Sequence, residues 1–317
     1  MGLAMLGAVS QGILWGVMVL GVFITYKLLD IADLTVDGSF ALGGSVCAVL
    51  VVSGVAPVLA VFAAMLAGMI AGAVTGFLHT VFEIPAILAG ILTQIALWSV
   101  NLRIMGKSNT PLLRVDTLFS SVTDATGLPQ NVASIIVGLI FAVLIIVALY
   151  WFFGTEIGSA CRATGNNEAM VRALGVDTKV TKMIALTLSN GLVGLSGGLI
   201  CESQGYADIG MGTGAIVIGL AAIVIGEVLG RLTPGKLRSF GSRLTAAVVG
   251  SVVYFLIRAI VLQLGMDAND MKLISAVIVA LALCIPVVWE KYQLRRAYAR
   301  SAKAAPATPA ANSEGGR

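Results

Sequence analysis

Charged and amide side chains inside long apolar runs are the residues of this sequence that could do chemistry. An arginine at the centre of a membrane helix costs about 2.5–3.5 kcal/mol. Arg258 is therefore expected to face the protein interior, where it pairs with Glu202 or Asp208 or lines a polar path, or else to snorkel outward. Arg103 could hold a carboxylate in a bidentate fork or anchor its helix at the surface, and the amides could equally join helix to helix. The candidates for a polar path are Gln94, Asn101, Arg103, Asn190, Glu202, Asp208 and Arg258.

A second candidate group lies in Ile157–Val176, a charged insert between two apolar runs that reads IGSACRATGNNEAMVRALGV. An asparagine at 166 or 167 can cap a short helix that Gly175 closes in the left-handed conformation. The apolar stripe of this helix comprises Ala169, Met170, Ala173 and Leu174. We expect the helix to lie along a membrane surface with its charged residues free to face a partner; an ordinary interfacial helix is the alternative. The candidate contact residues are Arg162, Gly165, Asn166, Asn167, Glu168, Arg172, Ala173 and Gly175.

The residue types that support metal or nucleotide chemistry are scarce. The chain has one histidine, His79, and its four cysteines are scattered without metal-ligand spacing. It contains no GxxxxGK[ST] loop for nucleotide phosphates. We therefore predict no catalytic residue, no metal and no cofactor on this chain, and any ATP chemistry would belong to a partner. The formal charge of +4 is explained by loops beside a membrane and predicts no nucleic-acid partner.

The composition indicates a membrane protein. The chain is 58% hydrophobic and 11% charged, with a mean hydropathy of +0.98, whereas soluble domains carry about 25% charged residues. We predict an all-α, polytopic fold with about nine membrane segments, between eight and ten. They are Leu3–Tyr26, Phe40–Val55, Pro57–Leu78, Pro85–Met105, Val132–Phe153, Thr181–Cys201, Met211–Leu229, Leu244–Leu264 and Leu273–Trp289. The second is short and follows an acidic stretch with Asp30, Asp33 and Asp37, so it is expected to be broken or re-entrant, with a structural role for that stretch.

Basic residues predict the orientation. Most of the 20 lysines and arginines fall on one side if the 157–180 and 230–243 loops and the C-terminal tail are cytoplasmic. The N-terminus and the 106–131 loop are then outside. The first segment lacks a charged start and a cleavage site, which argues against a cleaved signal peptide. We expect a transmembrane domain over residues 1–290, which includes the charged 157–176 region, followed by a basic and then disordered cytoplasmic tail over 291–317.

Several of these segments resemble a known family. The spacing of glycine, arginine and asparagine in 157–176 resembles the cytoplasmic coupling segment of ABC importer permeases, closest to the branched-chain amino acid and ribose permease family. Three further segments are similar to its branch of putative tryptophan/tyrosine, or uncharacterised, transport permeases. They read DLTVDGSF at Asp33–Phe40, IPAILAGILT at Ile84–Thr93 and NLRIMGKSN at Asn101–Asn109. The resemblance extends to about Trp289.

The resemblance implies a transport function. A permease of this family is expected in the bacterial inner membrane with a second permease subunit, identical or different, two ABC ATPase subunits inside and a solute-binding protein outside. ATP and Mg would be bound by the ATPase, and the solute would be an amino acid or a related compound. The alternative from the residues alone is an ion-coupled secondary transporter, which needs carboxylates deep in its spans.

Overall fold

The structure, a computed structural model, describes residues 2–113, 115–232, 239–265 and 275–281, with single residues at 273, 284 and 291. It is a helical bundle, as expected for an all-α membrane protein. In chain order the helices are α1 Gly2–Phe23, α2 Thr35–Val52, α3 Pro57–Thr80, α4 Ala86–Met105, α5 Leu118–Thr126, α6 Gln130–Phe152, α7 Glu156–Asn166, α8 Glu168–Ala173, α9 Thr178–Gln204, α10 Ala215–Leu232 and α11 Phe240–Gln263. Two short strands are β1 Asn109–Pro111 and β2 Tyr206–Asp208.

Within the described residues, seven helices are long and apolar enough to cross a membrane. They are α1 with the π-helical turn Ile24–Leu28, then α2, α3, α4, α6, α9 and α11. An eighth helix, α10, coincides with the predicted seventh segment but has a shorter apolar stretch, Ala215–Gly230. The ninth predicted segment, Leu273–Trp289, and the tail lie largely or wholly outside the described residues.

Helix α9 forms the centre of the bundle and packs against α1, α2 and α3. Glycines make this close packing possible, because a side chain would separate the backbones. A Cβ at Gly72 on α3 would lie 2.5 Å from the Leu186 carbonyl oxygen, and one at Gly194 on α9 would lie 2.6 Å from the Ala64 carbonyl oxygen. Gly68, Gly72 and Gly76, spaced four residues apart on α3, therefore form a packing surface toward α9.

The two ends of the bundle differ. At one, here called the β end, β1 pairs with β2 in antiparallel register, Asn109 opposite Asp208. At the other, here called the α8 end, ion pairs join separate parts of the chain: Lys27 with Glu227 of α10 at 2.8 Å, and Lys179 of α9 with Glu83 of the α3–α4 loop at 3.0 Å. The loop after α4 and the loop after α9 thus share one end, as the predicted topology requires.

The chain between α1 and α2 turns back into the bundle. The π-helical turn ends at Leu28, and Asp30 takes a left-handed conformation with φ +56°. Asp33 is then only 2% exposed, and its carboxylate accepts the backbone N–H of Thr35 at 2.9 Å and the Asn190 amide at 2.6 Å. Helix α2 therefore starts beside the middle of α9. It is continuous over 18 residues and long enough to cross a membrane, so the expectation of a broken segment was wrong. The acidic stretch therefore lies partly inside the bundle, where Asp33 bonds to the start of α2 and to α9.

Helix α10 also starts inside the bundle. The Asp37 carboxylate on the first turn of α2 accepts the backbone N–H of Gly214 at 2.8 Å and of Ile216 at 3.0 Å. A carboxylate at this position satisfies helix-start donors and interacts favourably with the helix dipole. The starts of two helices are thereby joined through one side chain.

Candidate functional site

The coupling segment folds as α7 and α8 at the α8 end. Thr155 caps α7 by accepting the Gly158 N–H at 3.3 Å, and Asn167 caps α8 by accepting the Met170 N–H at 3.0 Å. Gly175 follows α8 with φ +83°, the left-handed conformation expected of it. Gly165 packs directly on the Leu28 carbonyl group, where a Cβ would collide with backbone. The predicted cap at position 167 and the predicted glycine terminator are confirmed.

One face of α8 is apolar and exposed. Val171 is 2% exposed and fixes the helix to the bundle, whereas Met170 is 51% and Leu174 is 74% exposed. Ala169 and Ala173 are also exposed. The predicted apolar stripe therefore points away from the protein; these four residues are called the α8 knob below.

The charged residues around α8 are engaged within the chain. Glu168 accepts from Lys182 at 2.7 Å, from Arg172 at 2.9 Å and from the Thr178 hydroxyl at 3.1 Å. The hydrogen bond from Lys182 is the main cause of a lowered Glu168 pKa. Arg162 lies over the Phe240 ring at 5.7 Å. The expectation that Glu168 and Arg162 would be free to face a partner was therefore wrong, because both hold the segment in place, while Arg172 stays largely exposed.

A cavity of about 830 Å³ opens at the β end. Arg258 of α11 and Asp208 of β2, both predicted for a polar path, line it together. Its wall also includes Gln11, Trp15, Phe40, Gln204, Tyr206, Met211 and Thr213. A second cavity of about 720 Å³ adjoins it and shares Gln11, Gln204, Tyr206 and Arg258. Composition and spacing gave no signal for Trp15 or Tyr206, because an aromatic residue in an apolar run is ordinarily part of the core.

The remaining path candidates do not line either cavity. Glu202 is 1% exposed, and its carboxylate accepts the backbone N–H of Leu118 at 2.7 Å and the Cys47 thiol at 3.3 Å. It thereby fastens the start of α5 to α9 and forms no ion pair with Arg258. The suggested pairing of Arg258 with Glu202 or Asp208 was wrong, because neither carboxylate forms an ion pair with it.

The predicted amides and Arg103 lie elsewhere in the bundle. Asn190 is fully buried, donates to Asp33 and accepts the Ser39 hydroxyl at 2.7 Å, as helix-to-helix contacts do. Asn101 is 1% exposed and donates weakly to the Gly38 carbonyl oxygen at 3.5 Å. Two more candidates, Gln94 and Arg103, are half-buried and exposed respectively on α4. A role for these residues in a path stays a prediction.

Comparison with known proteins identifies the class of molecule. The family described as "Branched-chain amino acid transport system / permease component" matches residues 4–284, and the chain belongs to this family. It is a multi-pass membrane protein and the permease component of a transport system, as the sequence resemblance implied. Membership in this family implies a partner ATPase and a binding protein in general terms.

Two relatives match most of the chain. The chain is 38% identical to the tyrosine transport system permease protein of Clostridioides difficile (strain R20291), over 274 residues that cover 86% of this chain and 88% of the relative. It is 32% identical to the uncharacterized protein RP368 of Rickettsia prowazekii (strain Madrid E), over 278 residues that cover 87% of this chain and 95% of the relative. No solved structure matches the chain significantly.

Proposed function

We propose that this chain is the transmembrane subunit of an ABC importer in the bacterial inner membrane, and that it moves an amino acid or a related small solute inward. Two copies, or one copy with a related permease, form the membrane unit. Two ATPase subunits hold ATP and Mg on the cytoplasmic side, and a solute-binding protein delivers the solute outside. This chain itself performs no covalent chemistry and binds no cofactor. The relative named as a tyrosine transport permease supports an amino acid as the solute.

The observation that carries this proposal is the exposed α8 knob. An apolar surface on a short, rigidly held helix is what a partner protein buries, because removing Met170 and Leu174 from water is worth about 1.5–3 kcal/mol per side chain. The buried Val171 and the bonds of Glu168 keep this surface fixed. Because the α8 knob is held rigidly, it can transmit a movement of the ATPase subunit to α7 and α9, whereas a loose loop would absorb that movement.

The α8 end is assigned to the cytoplasm by its basic residues. Lys27, Lys179 and Lys182 lie there, and the predicted basic loop and tail follow in sequence. The N-terminus, at the start of α1, and the β end are then outside. With this assignment, the α8 knob lies on the same side of the membrane as the ATPase, and the cavity with Arg258 lies on the same side as the binding protein.

An ion-coupled secondary transporter is the alternative. It would use intramembrane carboxylates that bind and release protons or cations. Asp33, Asp37 and Glu202 do lie inside the bundle, but each accepts a backbone N–H at the start of a helix, α2, α10 and α5 respectively. Their bonding therefore supports a structural role, and the importer is the function we retain.

Site-directed cross-linking tests the proposal. Met170→Cys and Leu174→Cys should each cross-link to the ATPase subunit in membranes that contain the whole transporter. Leu113→Cys is the matched control, because Leu113 is 77% exposed, much like Leu174, but lies at the β end. Leu174→Asp should leave the permease in the membrane and abolish solute uptake. Absence of any cross-link from either position, with the ATPase present, would refute the importer.

A further inference from the structure

Arg258 is a half-buried cation that borders both cavities of the β end. Its Nε atom is buried and forms no hydrogen bond to any described residue, and its guanidinium lies 5.7 Å from the Phe255 ring centroid. No ion pair joins it to the described part of the chain. An unpaired guanidinium inside a membrane protein is costly and marks a functional site. None of the described residues provides an anion for Arg258, and planar carboxylates fit its bidentate geometry best.

Asp208 supplies the opposite charge in the same cavity. The pairing of β1 with β2 fixes its position, and its carboxylate accepts the Gly210 N–H at 2.8 Å and the Asn109 amide at 3.4 Å. A carboxylate has about four acceptor positions, so capacity for a cationic group remains. Arg258 and Asp208 thus border one cavity as a separated pair of opposite charges.

The third feature of this cavity is an aromatic wall. The rings of Trp15 and Phe40 pack against each other 4.7 Å apart with an angle of 30° between their planes. Phe40 is fully buried, so Trp15, which is 8% exposed, is the ring of this pair that a ligand can reach. Tyr206 lines the same space and is 42% exposed. Aromatic rings bind other rings through offset and edge contacts at these separations. A volume of about 830 Å³ is within the range of small-molecule sites.

The geometry points to a binding site for an α-amino acid with an aromatic side chain, a site that rests on the proposed import function. Arg258 binds the carboxylate, Asp208 binds the ammonium group, and Trp15 with Tyr206 contacts the ring. An anionic lipid headgroup would also satisfy Arg258. A lipid headgroup, however, has no ring to place against the aromatic side chains. Only a zwitterion with a ring can bind Arg258, Asp208 and the aromatic side chains together.

Equilibrium binding of radiolabelled L-tyrosine and of labelled analogues to the purified permease–ATPase complex tests the site. Tyramine lacks the carboxylate, 3-(4-hydroxyphenyl)propionate lacks the ammonium group and L-alanine lacks the ring. Each analogue should bind more weakly than L-tyrosine. Removing a hydrogen bond to a charged group costs roughly ten- to a hundredfold in affinity.

Variants assign each group to its residue. Arg258→Gln should weaken L-tyrosine binding roughly ten- to a hundredfold and leave tyramine unaffected. Asp208→Asn should weaken L-tyrosine binding as well, but should leave the binding of 3-(4-hydroxyphenyl)propionate, which lacks the ammonium group, unaffected. Lys107→Gln, at an exposed basic residue of the β end that lines neither cavity, should change nothing. A merely structural role would weaken every ligand alike.

The outcomes separate the site from the importer function. Equal losses for L-tyrosine and tyramine in Arg258→Gln, or no loss at all, would overturn the site. Displacement of L-tyrosine by anionic phospholipid but not by excess unlabelled L-tyrosine would assign the cavity to lipid. Co-purification of the ATPase and its hydrolysis rate are measured on the same samples. Failure of the two subunits to associate would instead overturn the importer.

Discussion

Replacing Glu168 by glutamine should loosen α8 from the bundle while keeping the side chain's shape. Glu168 bonds to Lys182, whose side chain is 18% exposed, at 2.7 Å, and to Arg172, 65% exposed, at 2.9 Å. Exposed ion pairs are worth about 0.3–0.5 kcal/mol and hydrogen bonds to charged groups about 1.5–3 kcal/mol. For this half-exposed cluster we expect a loss of about 1–2 kcal/mol, a factor of about 5–30 in local opening. Uptake should fall relative to ATP hydrolysis, because a loose knob transmits less displacement.

Amide hydrogen exchange of α8 measures this loosening. Arg172→Gln is the control, since its exposed pair predicts only about a twofold change. The effect should also depend on pH. Because the folded pKa of Glu168 is lowered, the stabilisation is complete above its ordinary value of about 4.3 and is lost as the pH falls through the lower folded value. Wild type and Glu168→Gln should therefore converge in acid. Equal amide exchange of α8 in wild type and Glu168→Gln at neutral pH would refute the conclusion that Glu168 holds α8 against the bundle.

Three further expectations concern the topology predicted from the basic residues and the helix contacts. Cysteines placed at Ser108 and Ser301 should react with an impermeant reagent from opposite sides of the membrane, and labelling from one side would overturn the topology. Asp37→Ala should destabilise the start of α10 by about 1–3 kcal/mol, because it leaves buried amides unpaired, and Asp37→Asn should recover part of this in thermal unfolding. Gly72→Val should cost about 1–3 kcal/mol by forcing α3 from Leu186 on α9, and an unchanged unfolding midpoint would show that the helices can separate freely.

The long apolar segments could be predicted because a bilayer demands helices of a set length. The positions inside the bundle at which α2 and α10 start could not be predicted. A carboxylate such as Asp33 next to a break is ordinarily placed at a surface, since burial is costly. Here the Thr35 amide and Asn190 offset that cost, and Asn190 is 157 residues away in the chain. Only the tertiary fold brings these groups together.

The candidate sites were predictable as segments but not as surfaces. Helix α8 has apolar residues on more than one side, and nothing in its six residues says that Val171 packs inward while Met170 faces out. Arg258 stood out by its position in a span. Its relation to Asp208 depends on the pairing of β1 with β2, strands of three residues whose sequences carry no strand pattern.

The outward-facing α8 knob also has a consequence for how the transporter is made. If the ATPase docks on the α8 knob as proposed, a newly inserted subunit displays Met170 and Leu174 on a fixed surface until the ATPase covers them. Exposed apolar patches of this kind promote aggregation and are what chaperones and proteases recognise. Permease subunits made in excess over the ATPase should therefore be degraded quickly, and co-expression of the ATPase should prolong the half-life of the permease. Cellular surveillance would then adjust the ratio of the two chains through the same contact that couples them.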